Sequence, residues 1–223
     1  DSTVVARLEA AGAVLLGKLN LTEGAMGGYN PDFDIPVNPW NPERWAGASS
    51  SGSGVATALG LCFGSLGSDT GGSIRFPAAA CGVVGLKPTW GRVSRYGVLA
   101  LAESLDHVGP LTRSSADAGI VLQAIAGQDD NDPTSLPDAV PDILAQIGDG
   151  VKGIRIGLDE GYVGDGVDPQ LSQAVLDGVK ALEALGAQIV NVKMPDVDKY
   201  LPGWPVLCTA EALAAHREFY PSR

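Results

Sequence analysis

Two loops rich in serine and glycine, separated by a short apolar run, constrain the fold of this chain more than any other feature. The first loop covers residues 47–54 (GASSSGSG), and the second covers residues 67–73 (GSDTGGS). Residues 55–64 between them (VATALGLCFG) are small and apolar enough to pack as a buried helix or strand. The sequence therefore predicts that the two loops lie at the two ends of one rigid element.

The second loop carries a candidate nucleophile, Ser73. Residues 74–80 after it (IRFPAAA) predict the first turns of a helix, and the first N–H groups of a helix have no intrahelical partner. The pair Gly71-Gly72 lets the backbone turn sharply and approach a ligand. Such N–H groups can stabilise a developing oxyanion, which suits acyl transfer. A plain glycine-rich turn and an anion-binding helix N-terminus fit the same residues.

Residues 67–89 (GSDTGGSIRFPAAACGVVGLKPT) resemble the central motif of the amidase signature family of serine hydrolases. The first loop resembles the other half of that motif, with Ala48 and Ser51 where the family usually has glycine. Residues 91–114 (GRVSRYGVLALAESLDHVGPLTRS) continue the likeness. The resemblance implies an α/β fold, layered α/β/α around a central mixed β-sheet. Because the family's domain is longer than this chain, residues 1–223 are predicted to form a single partial amidase domain without an internal boundary.

The resemblance also implies the roles of individual residues. The family uses a Ser–cis-Ser–Lys triad, in which Ser73 corresponds to the nucleophile and Ser49 to the bridging serine that follows a cis peptide bond. The residues assigned to the oxyanion hole through their backbone are Thr70, Gly71, Gly72 and Ser73. The residues expected to bind substrate are Met26, Gly27 and Ser50.

The triad lysine has no counterpart in these 223 residues. In the family it lies in a KDN-type motif upstream of both serines, so we expect it to lie outside this chain. Lys18 and Lys87 match that motif poorly, and we interpret both as structural. Asp69 and Arg75, which flank Ser73, are expected to brace the loop as an ion pair rather than to contact substrate.

A Ser–His–Asp triad is the best-known alternative for a serine hydrolase. Asp106 and His107 are adjacent in sequence, and adjacent side chains rarely converge in the geometry that such a triad needs. The second histidine, His216, is predicted on the polar face of a helix near the end of the sequence. We therefore favour lysine as the base.

The composition indicates which classes of binding partner and which cellular compartment are expected for this chain. A net charge of −11 argues against nucleic acid, because phosphate binding needs clustered lysine and arginine. No apolar run approaches the roughly 18 residues of a membrane span, and no signal peptide is visible. The three cysteines are odd in number and far apart, which favours free thiols and a cytoplasmic location. No metal or organic cofactor is expected, and the oligomeric state stays open, a homodimer included.

Hydrophobic periodicity and end signals also predict the secondary structure. Helices are expected at residues 2–11, 114–127, 169–185 and after residue 200. Strands are expected at residues 13–18, 154–158 and 187–192.

The expected function is that of an amidase, which cleaves the C–N bond of a small-molecule carboxylic amide through a serine acyl-enzyme and releases ammonia or an amine. One alternative within the family is the A subunit of a tRNA-dependent glutamine amidotransferase, which requires partner subunits. An alternative of another class is a non-catalytic anion- or nucleotide-binding module built on the same loops.

Overall fold

The strands in the described part of the chain form two separate small sheets. The computed structural model describes residues 1–218. The chain falls into two compact units, one comprising residues 1–144 and those from 203 onward, the other comprising residues 145–202. The α/β class predicted from the sequence is confirmed. The single domain predicted over residues 1–223 stays a prediction.

The first unit contains an antiparallel sheet of three strands in the order β1-β3-β2. Its strands are β1 (Gly64–Asp69), β2 (Val84–Gly85) and β3 (His107–Thr112). Asp69, the last residue of β1, lies opposite His107, the first residue of β3. This register brings His107 to the point where the second serine-rich loop leaves the sheet.

Five α-helices belong to the described part of this unit: α1 (Thr3–Ala10), α2 (Ser51–Ala58), α3 (Arg75–Cys81), α4 (Ser115–Ile125) and α7 (Gly203–Ala215). A short 3-10 helix covers Glu23–Ala25. The main core cluster joins Val4 of α1 to Val108 of β3 and to Leu122 and Ile125 of α4. A second cluster joins Ile74 and Ala78 of the α3 region to Leu111 of β3. Burial of these side chains supplies the main stabilisation of the elements that carry the two serine loops.

The sequence predicted that the two serine-rich loops lie at the two ends of one rigid element, and this prediction is wrong. Instead, α2 begins inside the first loop at Ser51, and β1 ends inside the second loop at Asp69. The apolar run between the loops is divided between α2 and a turn at residues 59–63. Close packing of α2 on α3 requires small residues, since a β-carbon at Gly54 would lie 3.1 Å from Pro77.

The strand predicted at residues 13–18 is absent. The structure describes this whole segment, which has no regular secondary structure, and its apolar side chains are exposed, with Val14 at 83% and Leu16 at 74%. A strand needs a hydrogen-bonded neighbour, and within residues 1–218 no strand pairs with this segment.

The second unit is a β-α-β arrangement. Strand β4 (Arg155–Leu158) pairs in parallel with β5 (Gln188–Asn191), and α5 (Glu160–Gly164) and α6 (Pro169–Ala184) connect them. Asp168 caps α6 by accepting from the N–H groups of Gln170 and Leu171, and Pro169 occupies the first turn. These strands and α6 confirm the predictions made from hydrophobic pattern and end signals. Among residues 1–218, no helix combines the length and apolar character needed to cross a bilayer.

Candidate active site

The two serine-rich loops meet through a backbone hydrogen bond. The N–H of Ser50 donates to the carbonyl of Ser73 at 3.3 Å. Ser73 is half-buried and lies between the end of β1 and the start of α3 at Arg75. The structure therefore brings together the segments of the two serines that the sequence singles out.

Ser49 combines an unusual backbone with an unpartnered hydroxyl. The Ala48–Ser49 peptide bond is cis, as the family resemblance implies. The residue is 2% exposed, and its Oγ has no hydrogen-bond partner among the described residues. Its carbonyl accepts from the N–H of Ser51 at 2.8 Å and of Thr22 at 3.4 Å. Buried hydroxyls are nearly always hydrogen-bonded, so an unpartnered one marks a candidate functional position.

Asp69 braces the nucleophile loop from within. It is 1% exposed, and its oxygens accept from the N–H groups of Gly72 at 2.7 Å and Ile74 at 3.2 Å. Arg75 donates to both oxygens, through Nε at 3.0 Å and Nη2 at 2.9 Å. Burial alone would raise the pKa of Asp69, but the hydrogen bonds from Arg75 and from the backbone hold that pKa below its ordinary value. The predicted bracing ion pair is confirmed.

The four backbone N–H groups predicted for the oxyanion hole differ in their surroundings. The N–H of Gly72 is taken by Asp69 Oδ1. Within the described residues, the N–H groups of Thr70, Gly71 and Ser73 have no acceptor in hydrogen-bond range. Three donors are thus left for a ligand oxygen, and the assignment of the hole to residues 70–73 stays a prediction.

Trp204, which the sequence analysis did not select, covers this backbone. Its Nε1 donates to the carbonyl of Thr70 at 3.3 Å, and its ring lies directly against Gly71. Trp204 is 43% exposed, so it is only partly buried against the loop. Trp204 lies 134 residues beyond Thr70 in the sequence, and no sequence pattern signals a contact at that separation.

Asp106 and His107 each contact the second serine-rich loop, through different atoms of that loop. Asp106 accepts from Thr70 Oγ1 at 2.5 Å and from the N–H groups of Leu101 and Ala102. The Nδ1 atom of His107 lies 3.1 Å from the carbonyl oxygen of Asp69. None of these contacts is the Asp-to-His or the His-to-Ser hydrogen bond of a Ser–His–Asp triad. The other histidine, His216, contacts the carbonyl of Ala100 at 3.0 Å within the described chain.

Two lysines were predicted to be structural. Lys87 Nζ lies 3.1 Å from His107 Nε2 and 3.0 Å from the carbonyl of Pro88. Burial lowers the pKa of Lys87, and the positive charge of Arg75 lowers it further, while Asp69 partly opposes the change. Lys18 is exposed. In the part of the chain that is described, neither amine is hydrogen-bonded to Ser49 or Ser73.

The predicted substrate-binding residues lie in two places. Met26 is 53% exposed and Gly27 is also exposed, in a turn that begins at Thr22, whose N–H contacts the carbonyl of Ser49. Ser50 is 5% exposed, and its Oγ accepts from the N–H of Ser68 at 3.2 Å, which braces the end of β1. The first two therefore stand on an open surface beside the first loop, whereas Ser50 faces inward.

Comparison with known proteins adds independent findings. A relative from Mycobacterium tuberculosis with the name "Putative amidase AmiD" is 51% identical over 223 residues, which is 100% of this chain and 46% of that protein. The A subunit of the glutamyl-tRNA(Gln) amidotransferase from Thermotoga maritima superposes with a TM-score of 0.90 and 42% identity, over 97% of this chain and 48% of that one. The native peptide amidase from Stenotrophomonas maltophilia gives a TM-score of 0.84 and 37% identity, over 99% of this chain and 47% of that one.

The chain thus spans about half the length of the relatives that it matches. The family model described as Amidase covers residues 1–220. Since that match includes both serine-rich loops and nearly the whole sequence, this chain belongs to the amidase signature family.

Proposed function

We propose that this chain carries the nucleophile, the bridging serine and the oxyanion donors of a serine amidase. One observation carries the proposal: the loop with the buried, unpartnered Ser49 hydroxyl is hydrogen-bonded to the loop with Ser73, beside three backbone N–H groups that have no acceptor among the described residues. A nucleophile, a proton carrier and an oxyanion-binding backbone are the parts that acyl transfer needs.

The proposed mechanism begins with proton removal from Ser73. A serine hydroxyl is a weak nucleophile until a base accepts its proton. A desolvated lysine can act as that base, because burial disfavours its charged form. We assign this lysine to the family's motif outside residues 1–223, and Ser49 passes the proton between it and Ser73.

The acyl transfer then proceeds in two stages. The Oγ of Ser73 bonds to the amide carbon, and the N–H groups of Thr70, Gly71 and Ser73 stabilise the oxyanion. The C–N bond breaks, and the amine or ammonia leaves with the proton that Ser73 gave up. Water then hydrolyses the acyl-enzyme, and Ser73 recovers its proton. These steps use side chains and backbone groups of the protein. In this proposal, Met26 and Gly27 border the acyl group of the substrate.

Substitution of Ser73 tests the proposal in the full-length protein. We expect Ser73→Ala to abolish amide turnover and covalent labelling by a fluorophosphonate. Ser49→Ala should slow both by a large factor while the protein stays folded. A matched control is Ser172→Ala, which removes a hydroxyl in the second unit that donates to Val163 at 2.8 Å, and it should leave labelling unchanged.

Two results would contradict this assignment. Labelling of Ser73→Ala at an undiminished rate would remove Ser73 from the role of nucleophile. Saturable binding of phosphate or a nucleotide by a wild-type protein that neither labels nor turns over amides would favour a non-catalytic anion-binding module instead.

The A subunit of a tRNA-dependent amidotransferase is the second candidate. The likeness to the Thermotoga maritima A subunit, with a TM-score of 0.90 and 42% identity, supports it as an alternative to the amidase. The two candidates differ in their need for partners. Ammonia release from glutamine that depends on an added B-type subunit would support the amidotransferase, whereas turnover of amides by the protein alone would support a free amidase.

A further inference from the structure

The orientation of the proposed oxyanion donors is controlled through their carbonyl groups. A trans peptide group is planar, and its carbonyl and N–H point in opposite directions. A hydrogen bond that holds the carbonyl of one residue therefore also fixes the direction of the N–H of the next residue. In the segment 69–73, this relation connects each proposed donor to a specific partner on the other side of its peptide plane.

Three of the four peptide groups from Asp69 to Ser73 are held at the carbonyl. Nδ1 of His107 lies 3.1 Å from the oxygen of Asp69, Nε1 of Trp204 lies 3.3 Å from that of Thr70, and the N–H of Phe76 lies 2.6 Å from that of Gly72. The N–H groups across these planes are those of Thr70, Gly71 and Ser73. They are the three that have no acceptor among the described residues.

The fourth peptide group behaves in the opposite way. Its N–H, on Gly72, donates to Asp69 Oδ1 at 2.7 Å. In the described chain no hydrogen-bond donor contacts its carbonyl, which belongs to Gly71. The loop thus uses the N–H of one peptide group for its own bracing. The N–H groups of the other three have no acceptor among the described residues.

The hydrogen-bond partners determine the tautomer of His107. Its Nδ1 faces two carbonyl oxygens, of Leu105 at 2.7 Å and of Asp69 at 3.1 Å, and a carbonyl can only accept. Its Nε2 faces the amine of Lys87 at 3.1 Å, and a lysine ammonium can only donate. Nδ1 therefore carries the hydrogen and Nε2 the lone pair. The single Nδ1–H is shared between the carbonyls of Leu105, which is nearer, and Asp69.

We infer that Trp204 and His107 are positioning residues for the oxyanion hole, acting on the N–H groups of Gly71 and Thr70 respectively, with Lys87 fixing the tautomer of His107. The inference rests on the proposed function. A donor at the carbonyl also polarises the peptide, which makes its N–H a stronger donor. Neither side chain touches the reacting atoms in this role.

A conservative pair of variants of the full-length protein tests the role of Trp204. Trp204→Phe removes the indole N–H and keeps an aromatic ring. The matched control is Trp90→Phe, because Trp90 Nε1 also donates to a carbonyl at 3.3 Å, that of Glu103. The probe is a small alkyl fluorophosphonate, and the measured quantities are the maximal labelling rate and the half-saturating probe concentration.

We expect Trp204→Phe to slow maximal labelling by about tenfold or more, since deletion of a whole oxyanion donor costs about 100- to 1,000-fold. The half-saturating concentration should change by less than about threefold, because the lost interaction belongs to the transition state. Trp90→Phe should match wild type in both quantities. Equal labelling rates for Trp204→Phe and Trp90→Phe would overturn the role of Trp204.

His107 is tested by two substitutions. His107→Phe removes the donor towards Asp69 and should reduce the labelling rate as Trp204→Phe does. His107→Asn keeps an amide N–H near the position of Nδ1 and should restore much of that rate. If both His107 variants label at the wild-type rate, His107 has no positioning role. The positioning role is also refuted if both variants label more slowly by the same factor while their thermal unfolding matches that of wild type.

Failure of the inference can be told apart from failure of the proposed function. A wild-type protein that does not label, or a Ser73→Ala protein that labels normally, refutes the proposed function itself. A wild-type protein that labels at Ser73, with Trp204→Phe equal to its Trp90→Phe control, leaves the proposed function intact and refutes the positioning role of Trp204.

Discussion

Substitution of Gly71 by alanine should reveal how tightly Trp204 packs on the nucleophile loop. A β-carbon at residue 71 would overlap Cζ2 of Trp204 and lie 2.8 Å from its Cε2. The ring would have to move by about 1.2–1.7 Å to reach an ordinary carbon–carbon contact of about 3.5–4.0 Å. The 3.3 Å hydrogen bond to Thr70 would then break.

The expected cost follows from these contacts. Overpacking costs about 1–3 kcal/mol, and a lost hydrogen bond costs about 0.5–1.5 kcal/mol. Because Trp204 is 43% exposed and can move outward, we expect a value near the lower end, about 2 kcal/mol in the free energy of unfolding. Urea denaturation of the full-length protein measures this difference directly.

A double-mutant cycle isolates the contact. In a Trp204→Ala background the β-carbon has nothing to overlap, so Gly71→Ala should become nearly neutral, with a coupling of about 1–3 kcal/mol. Gly72 provides the contrast, since a β-carbon there would overlap Phe76 and its φ is +136°. Phe76→Ala should therefore fail to rescue Gly72→Ala, because the backbone strain remains.

Two results would refute this reasoning about Gly71. One is a Gly71→Ala protein whose stability stays within about 0.5 kcal/mol of wild type, as for an ordinary surface substitution. The other is an equal cost of Gly71→Ala with and without Trp204, which would mean that the two residues do not interact.

Two further predictions concern the first unit. The pKa of Asp129 is held well below its ordinary value of 3.8 by the hydroxyls of Ser94 and Thr3. Ionised Asp129 therefore stabilises the folded protein fully above pH 3.8, and this contribution is lost as the pH falls through the lower folded-state pKa. Urea titrations between about pH 5 and pH 2 should show a steeper loss of stability for wild type than for Asp129→Asn. Ser114→Ala should lower the free energy of unfolding by about 1 kcal/mol, because the Ser114 hydroxyl accepts from the N–H of Asp117 at the start of α4; an unchanged urea midpoint would contradict the capping role.

Local signals predicted most of the helices. Ser114 before α4 and Pro169 in the first turn of α6 mark the starts of those helices in both sequence and structure. The brace between Asp69 and Arg75 was also predictable, since the two residues are six positions apart on either side of one turn. In each case the physical cause lies within a few residues of the feature that it determines.

Features that depend on distant partners were not predictable. The segment 13–18 has the apolar character of a strand, but strand formation depends on a neighbour that the pattern does not specify. The contact of Trp204 with the second loop joins residues 134 positions apart. The inward direction of the Gly72 N–H likewise depends on the side-chain position of Asp69, which a motif cannot convey.

The contact between Trp204 and Thr70 also has a consequence for protein synthesis. The ribosome makes the serine-bearing segments long before it reaches α7, so a growing chain holds both hydroxyls before the indole arrives. If the indole aligns the Gly71 amide as inferred, a nascent polypeptide is a poor catalyst until its later helix docks. Hydrolytic competence is then acquired only after α7 has been synthesised and has docked on the second loop.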